Sequence, residues 1–292
     1  MDDTAVKLDE GRAARLIAAR FPELVGEPVH APTAKGTDNH IFRIGNDLCA
    51  RFPKVAWAAG TARREAAALP RFADAPLPVP AVYGLGEADG DYPHAWSVLS
   101  WLPGTPLEDS APGDTITFAH QLAEFFGFVR SISPDPAFRF SAENNGRGAP
   151  LAVRTPAFEA ALARLPELDA GFAQRLWADA LKAEHPASAV WLHGDVHPGN
   201  LLVEDGRLCG VIDWGLCGVG NGACDLLTAW AMFDRDARDV FRAAIGASEA
   251  EWMRGAGWAL SMAVIYLPYA YENGLRSDMS ERMIARLMEE FA

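Results

Sequence analysis

His193-Gly194-Asp195-Val196-His197-Pro198-Gly199-Asn200, followed by Asp213-Trp214-Gly215, is the stretch on which the reading of this 292-residue chain turns. Its Gly and Pro content excludes a helix, and it sets Asp195 and Asn200 five positions apart. The flanking runs Ala189–Leu192, Leu201–Val203 and Leu208–Ile212 are short, apolar and partly β-branched, which predicts strands. Asp205-Gly206 predicts a hairpin turn between the last two. The acids then lie at strand ends, where their side chains can converge on one ligand. Hard oxygen donors suit Mg²⁺, which takes one or two protein groups and completes its shell with water and phosphate oxygens. In phosphoryl transfer one Asp orients the acceptor hydroxyl, while an Asn and a second Asp hold the metal. Asp195, Asn200 and Asp213 occur in that order. A polar loop closed by local Asx hydrogen bonds would account for Asp195 alone, but not for the ordered set.

The same residues resemble the signature of the aminoglycoside phosphotransferase family of small-molecule kinases, and the resemblance extends over nearly the whole chain. It implies an α+β, two-lobed protein-kinase-like fold, with a small antiparallel β-sheet plus a helix in the N-lobe and a mostly α-helical C-lobe. It also implies Mg²⁺-dependent transfer of the γ-phosphate of ATP or GTP to a hydroxyl of a small molecule. An aminoglycoside is the default acceptor; macrolides, choline-like amino alcohols and other metabolites are alternatives, and a nucleotide-binding pseudokinase is the non-catalytic rival. On this resemblance Asp195 is the catalytic group, Asn200 and Asp213 hold the metal, and His193 and His197 support the loop. Asp225 is a sensible helix N-cap, and its counterpart in the family tethers the catalytic loop. Gly220-Asn221-Gly222 departs from the Gly-Asp-Pro often found there.

Working back toward the N-terminus, Leu8–Phe21 predicts a helix capped by Asp9, and Ile41–Ile44 and Leu48–Phe52 predict strands. Trp57–Phe72 predicts a helix, and Val82–Leu85 and His94–Trp101 two more strands. Pro103-Gly104-Thr105-Pro106 places the lobe boundary: residues 1–102 form the nucleotide-binding N-lobe, with a hinge at about 98–102, and 103–292 the C-lobe. Beyond it, helices are expected over Asp114–Ser131, Pro156–Leu165, Asp169–Glu184, Cys224–Phe233, Ala237–Ile245, Glu249–Tyr271 and Ser280–Phe291. The Pro-, Asn- and Gly-rich segment 133–155 reads as a surface excursion.

Gly36, Thr37 and Asn39 taken alone read better as an ordinary hairpin, but they fall where the family's phosphate loop falls. A kinase N-lobe needs a strand cation held by a helix carboxylate; Arg51 and Glu65 occupy those positions. The family more often uses Lys there, so Lys54 is an alternative contact and a surface ion pair an alternative role. Ser100 and Leu102 are the candidates to meet the purine through their main chains, with no side-chain code separating ATP from GTP.

A net charge of −13 argues against nucleic acid as substrate, which requires a basic surface. Four cysteines without metal spacing suit a reducing cytoplasm. The acidic N-terminus is unlike a secretory signal, and the longest apolar stretch, Trp258–Tyr271, is interrupted and too short for a bilayer. A monomer or homodimer without membrane or nucleic-acid partner is expected. Gly194 stands where protein kinases carry an Arg that reads a phosphorylated loop, and only about ten residues separate Asp213 from the next helix, which predicts no phosphorylation control. Asp234, Asp236, Glu272, Asp278, Glu289 and Glu290 are late carboxylates able to meet amines or simply solvent. A hydrolase with Cys217 or Ser261 as nucleophile lacks a Gly-x-Ser-x-Gly elbow.

Overall fold

The computed structural model describes residues 6–32, 38–110, 113–183 and 188–292. Asp9 caps α1 (Glu10–Arg20), accepting from the Arg12 amide at 2.7 Å. There follow β1 (Val29–His30), β2 (Asn39–Ile44), β3 (Leu48–Pro53), α2 (Ala59–Ala68), β4 (Val82–Gly86) and β5 (Trp96–Ser100). The strands form one antiparallel sheet in the order β1-β2-β3-β5-β4. Side chains alternate across a strand, and that alternation sorts β3. Ala50 and Phe52 join Ile17, Phe42, Trp96 and Val98 in a core under α1, whereas Cys49 belongs to a second, larger core with Phe72, Phe118 and Trp214. Arg51 shares the Cys49 face and is thereby aimed away from the small core.

The helix expected over Trp57–Phe72 is α-helical only within α2; tight 3₁₀ turns, Ala56–Ala58 and Leu69–Phe72, flank it. Pro70 supplies no amide to continue the ladder, which explains the change at the C-terminal side.

The second half begins with β6 (Thr105–Pro106) and α3 (Thr115–Ser131), whose cap Asp114 accepts from the amides of Ile116 and Thr117. Next are α4 (Thr155–Leu162), α5 (Ala170–Lys182), β7 (Val190–Leu192), β8 (Leu201–Glu204), β9 (Arg207–Val211) and β10 (Gly218–Gly220). The chain ends in α6 (Thr228–Met232), α7 (Arg235–Ile245), α8 (Glu249–Asn273) and α9 (Asp278–Phe291). The expected hairpin is β8–β9, with Asp205 and Gly206 both at positive φ as a tight Asp-Gly turn requires. β6 adds to β8, and β10 pairs with β7. Both β6 and β10 are too short to show any periodicity in sequence.

Segment 133–155 is not a surface excursion. Phe138, Asn144, Arg147 and Leu151 are buried, and Gly148 O accepts the Asn221 amide at 2.8 Å. Its irregular backbone finds its partners on the loop after β10, so the Pro and Gly content marked lack of regular structure rather than exposure. No helix among the described residues is long and apolar enough to cross a membrane.

Candidate active site

Asp195 lies in the loop after β7, and Asp213 lies two positions after the end of β9. Asn200 bridges the first to the hairpin: its Nδ2 donates to Asp195 O at 2.9 Å and lies 3.4 Å from Asp195 Oδ2. That leaves Asn200 Oδ1 as the oxygen available to a cation. Asp213 adopts φ 64°, ψ 67°, a left-handed conformation uncommon for a residue with a Cβ and retained where surrounding structure enforces it.

The catalytic loop is held from behind. Asp225 accepts from two successive amides, His193 at 2.9 Å and Gly194 at 2.8 Å. It therefore tethers the loop and caps no helix; Asn221 provides the cap, accepting from the Ala223 amide. Burial pushes the Asp225 carboxyl above its ordinary pKa, against the pull of His193 and the two amides. The Thr228 hydroxyl donates to Val196 O at 2.9 Å, a brace with no sequence signal. His193 is fully buried, with Nε2 3.1 Å from Ile212 O and Nδ1 accepting the Asp195 amide at 3.2 Å. Burial lowers its pKa and keeps the ring neutral, so it braces two segments. His197 turns Nδ1 to the Gly199 amide, with Nε2 3.9 Å from Asp195 Oδ2.

From the sheet, Arg51 pairs with Glu65 of α2 at 2.5 Å and with Asp213 at 2.6 Å. This pair is buried, unlike the surface ion pair that the spacing also allowed. Burial opposes the Arg51 charge, but Asp213 and Glu65 outweigh it and raise its pKa. Burial likewise pushes the Asp213 carboxyl up, and the Arg51 guanidinium more than offsets this, holding it below the usual carboxylate range. Glu65 Oε1 also accepts the Trp214 amide at 2.9 Å, so one carboxylate oxygen binds the strand cation to the Asp-Trp-Gly turn. A Cβ on Gly215 would stand 2.9 Å from Thr61 Cβ, which is why α2 can approach so closely there.

Asp38 was not singled out by sequence. Burial, then repulsion from Asp213 and Asp195, raises its carboxyl pKa. Asn39 opens β2 and is buried. Gly36 and Thr37 lie outside the described residues. At the expected hinge, the Ser100 amide is committed to Ala81 O at 2.8 Å and the Trp101 amide to Asp47 O at 2.7 Å. Ser100 therefore has no amide to offer a purine, and Leu102 is the remaining candidate donor.

Sequence reasoning also missed Arg147, whose Nη2 lies 3.1 Å from Asp195 Oδ1. Asp195 also lines a cavity of about 780 Å³, bordered by the start of α3 and by α6, α8 and α9. Of the late carboxylates only Asp278 lines it, paired with Arg276 and Arg282. Asp234 caps α7, Glu272 pairs with Arg164, and Glu289 and Glu290 pair with buried Arg238. Tyr266 lines the cavity, whereas Trp230, Trp252 and Trp258 fill core.

A strand cation on a helix carboxylate, an Asp-Trp-Gly turn and a tethered Asp loop beside one cavity make up a kinase-like arrangement. A model of the phosphotransferase enzyme family (APH) matches residues 30–259, and the chain belongs to that family. A viomycin phosphotransferase from Streptomyces vinaceus is 32% identical over 193 residues, covering 60% of this chain; the chain spans 59% of that protein's length. Among solved structures, the GDP complex of an aminoglycoside 2′-phosphotransferase-IIIa superposes with TM-score 0.72 at 18% identity, over 97% of this chain and 98% of that one. A macrolide 2′-phosphotransferase from Brachybacterium faecium gives 0.62 at 22% identity, over 93% and 96%. At such identities the likeness is one of fold.

Proposed function

We propose that the protein transfers the γ-phosphate of ATP or GTP to a hydroxyl of a small molecule, with Mg²⁺ required. The observation that carries this reading is that Asp195 lines the 780 Å³ cavity and is hydrogen-bonded to Asn200, while Asp213 on the neighbouring loop is ion-paired to Arg51. A bond forms between the acceptor oxygen and the γ-phosphorus as the bond to the β–γ bridging oxygen breaks. Asp195 aims the hydroxyl and accepts its proton as that bond forms; with a loose transition state, aim contributes more than basicity. Arg51 is placed to grip the phosphates, and Asn200 Oδ1 with Asp213 would hold the metal. Bound Mg²⁺ neutralises charge on the phosphate oxygens. Among the described residues no three His, Cys, Asp or Glu side chains form a metal cage by themselves. One carboxylate and one amide oxygen beside the substrate's own phosphates is a donor set that fits Mg²⁺.

For the acceptor, the reading is a hydroxyl-bearing antibiotic of the kinds the relatives' names carry: an aminoglycoside by default, then viomycin or a macrolide. The cavity sets Glu108 and Asp278 against an apolar wall of Phe118, Met279 and Met283, which suits an amphipathic molecule of that size. Nucleotide chemistry and four free thiols suit a cytoplasmic setting. A nucleophilic hydrolase is disfavoured: burial pushes the Cys217 thiol up to about 12, and Ser261 is buried against Arg154.

The test is a phosphate-transfer screen with ATP and GTP against aminoglycosides, viomycin, macrolides and amino alcohols, run beside Asp195→Ala. Transfer that falls by about 10²–10⁴-fold in the variant, with nucleotide affinity kept, supports the reading. Nucleotide binding with no turnover by wild type or variant would reassign the protein as a nucleotide-binding pseudokinase, and equal transfer by both would remove Asp195 from the reaction.

A further inference from the structure

Arg147 is only 5% exposed, yet its guanidinium is poorly matched to its surroundings. Nη2 meets Asp195 Oδ1 at 3.1 Å, Nη1 abuts Met262 Sδ at 2.6 Å, and Nε has no hydrogen-bond partner. A second guanidinium, Arg154, packs beside it, donating to Ser261 Oγ at 2.8 Å and to the same sulfur at 3.2 Å. Burial, then repulsion from Arg147, holds the Arg154 pKa down to about 10. Two guanidiniums therefore crowd one sulfur, and the one with an unpaired Nε, Arg147, meets the Asp195 carboxylate. Such an arrangement lowers stability, and conflicts of this kind gather where function demands them.

The backbone explains why the cation comes from so far away. Gly194, next to Asp195, has φ +84°, and a Cβ there would stand 2.6 Å from Leu216 O and 3.0 Å from Arg147 Cβ. No side chain fits at position 194, and the stem of Arg147 occupies the volume that one would need. The Arg147 backbone is fixed in turn by fully buried Asn144, whose Nδ2 donates to Arg147 O at 3.1 Å and whose Oδ1 accepts the Ser141 amide at 2.9 Å.

We propose that Arg147 is a positioning residue for the transfer step, holding the Asp195 carboxylate by Oδ1. Asn200 Nδ2 steadies Oδ2 from the other side, at 3.4 Å, so the carboxylate plane is set from both edges before a substrate arrives. Arg147 acts through Asp195 and touches neither substrate. The inference rests on the reading of Asp195 as the group that aims the acceptor hydroxyl.

The test uses the full chain with Arg147→Met, Arg147→Lys and Arg147→Ala, each with MgATP and MgGTP. The acceptor is whichever panel compound the wild type phosphorylates, or water where nucleotide hydrolysis is the only turnover. Misaim of a reacting group by about 1 Å costs on the order of 100-fold, which is the kcat loss expected of Arg147→Met. Nucleotide and acceptor KM should stay within about threefold, Arg147→Lys should recover part of the rate, and added guanidinium ion should raise kcat in Arg147→Ala but not in Asp195→Ala. A kcat within about threefold of wild type would overturn the proposal. So would a parallel loss of kcat, KM and Tm that guanidinium does not relieve, since a merely structural role predicts that pattern. A wild type without any turnover would instead fail the reading of Asp195. A crystal structure of Arg147→Met then decides about Arg147 alone: a displaced Asp195 carboxylate supports positioning, and an unmoved one rejects it.

Discussion

Arg51 has two carboxylates on one guanidinium, and what happens to each without it differs. Glu65 is 1% exposed and would be left as a buried unpaired charge, whereas the Asp213 side chain is 43% exposed and can turn to water. Arg51→Met should therefore destabilise by about 3–5 kcal/mol, mostly through Glu65, and Arg51→Met with Glu65→Gln should recover much of it. Denaturant midpoints of the two variants check this; equal losses would show that Glu65 is not the source. His193 makes a pH-dependent contribution of known sign. Burial holds its folded pKa below the ordinary 6.5, so the unfolded chain takes up a proton that the folded one refuses. Its stabilisation is intact above about pH 6.5 and is lost as pH falls below that, by at most about 1.4 kcal/mol per unit. Urea titrations at pH 5.5 and 7.5 should show a flatter slope in His193→Gln than in wild type. At this scale Asp195, Asn200 and Asp213 could be picked out as one set because their spacing is local. Arg147 was not, because 48 residues separate it from Asp195 and nothing in either segment names the other.

Among the elements, α2 joins the sheet to the catalytic loops. Arg64 donates to the carbonyls of Cys217 and Phe138, both at 2.6 Å, and of Arg139 at 3.2 Å, while Glu65 one position on serves Arg51 and Trp214. Arg64→Met would orphan three carbonyls in the interior and should cost about 2–4 kcal/mol, read as a fall in Tm. Unchanged Tm would mean that water replaces the guanidinium there. After Asp213 the chain makes a tight turn, Trp214–Leu216, and then β10 on β7, leaving no long segment for a phosphate to order. Treatment with a protein kinase or phosphatase should leave kcat unchanged; a clear change would show control that this geometry does not explain. Helices capped by Asp9, Asp114 and Asp169 were legible to within a turn, since a cap and an apolar period are both written locally. β6 and β10 were not, because strands of two or three residues exist only through their partners, Val203 with Leu202 and Leu192 with Trp191 and Val190.

Across the whole molecule, the proposed nucleotide site lies where the sheet face carrying Arg51 meets the loops of Asp195 and Asp213, so ligand bound there should tie the two parts together. At 100 times its Kd a nucleotide adds about 2.7 kcal/mol to stability. Thermal melts should rise more with nucleotide plus Mg²⁺ than with nucleotide alone, and Asp213→Asn should abolish the difference. A difference of wild-type size in that variant would remove Asp213 from the metal site. The catalytic loop and the cavity wall also differ in how they are built. The loop is fixed by the Asp225, Asn200 and Thr228 hydrogen bonds, each of them to backbone. The wall carries Met232, Met262, Met279 and Met283, four of the chain's seven methionines, unbranched side chains that refill a changed shape with little strain. A lineage meeting an unfamiliar hydroxyl compound could accordingly redraw the wall one residue at a time and inherit the chemistry unaltered, so that acceptor range drifts quickly across descendants while the reaction does not.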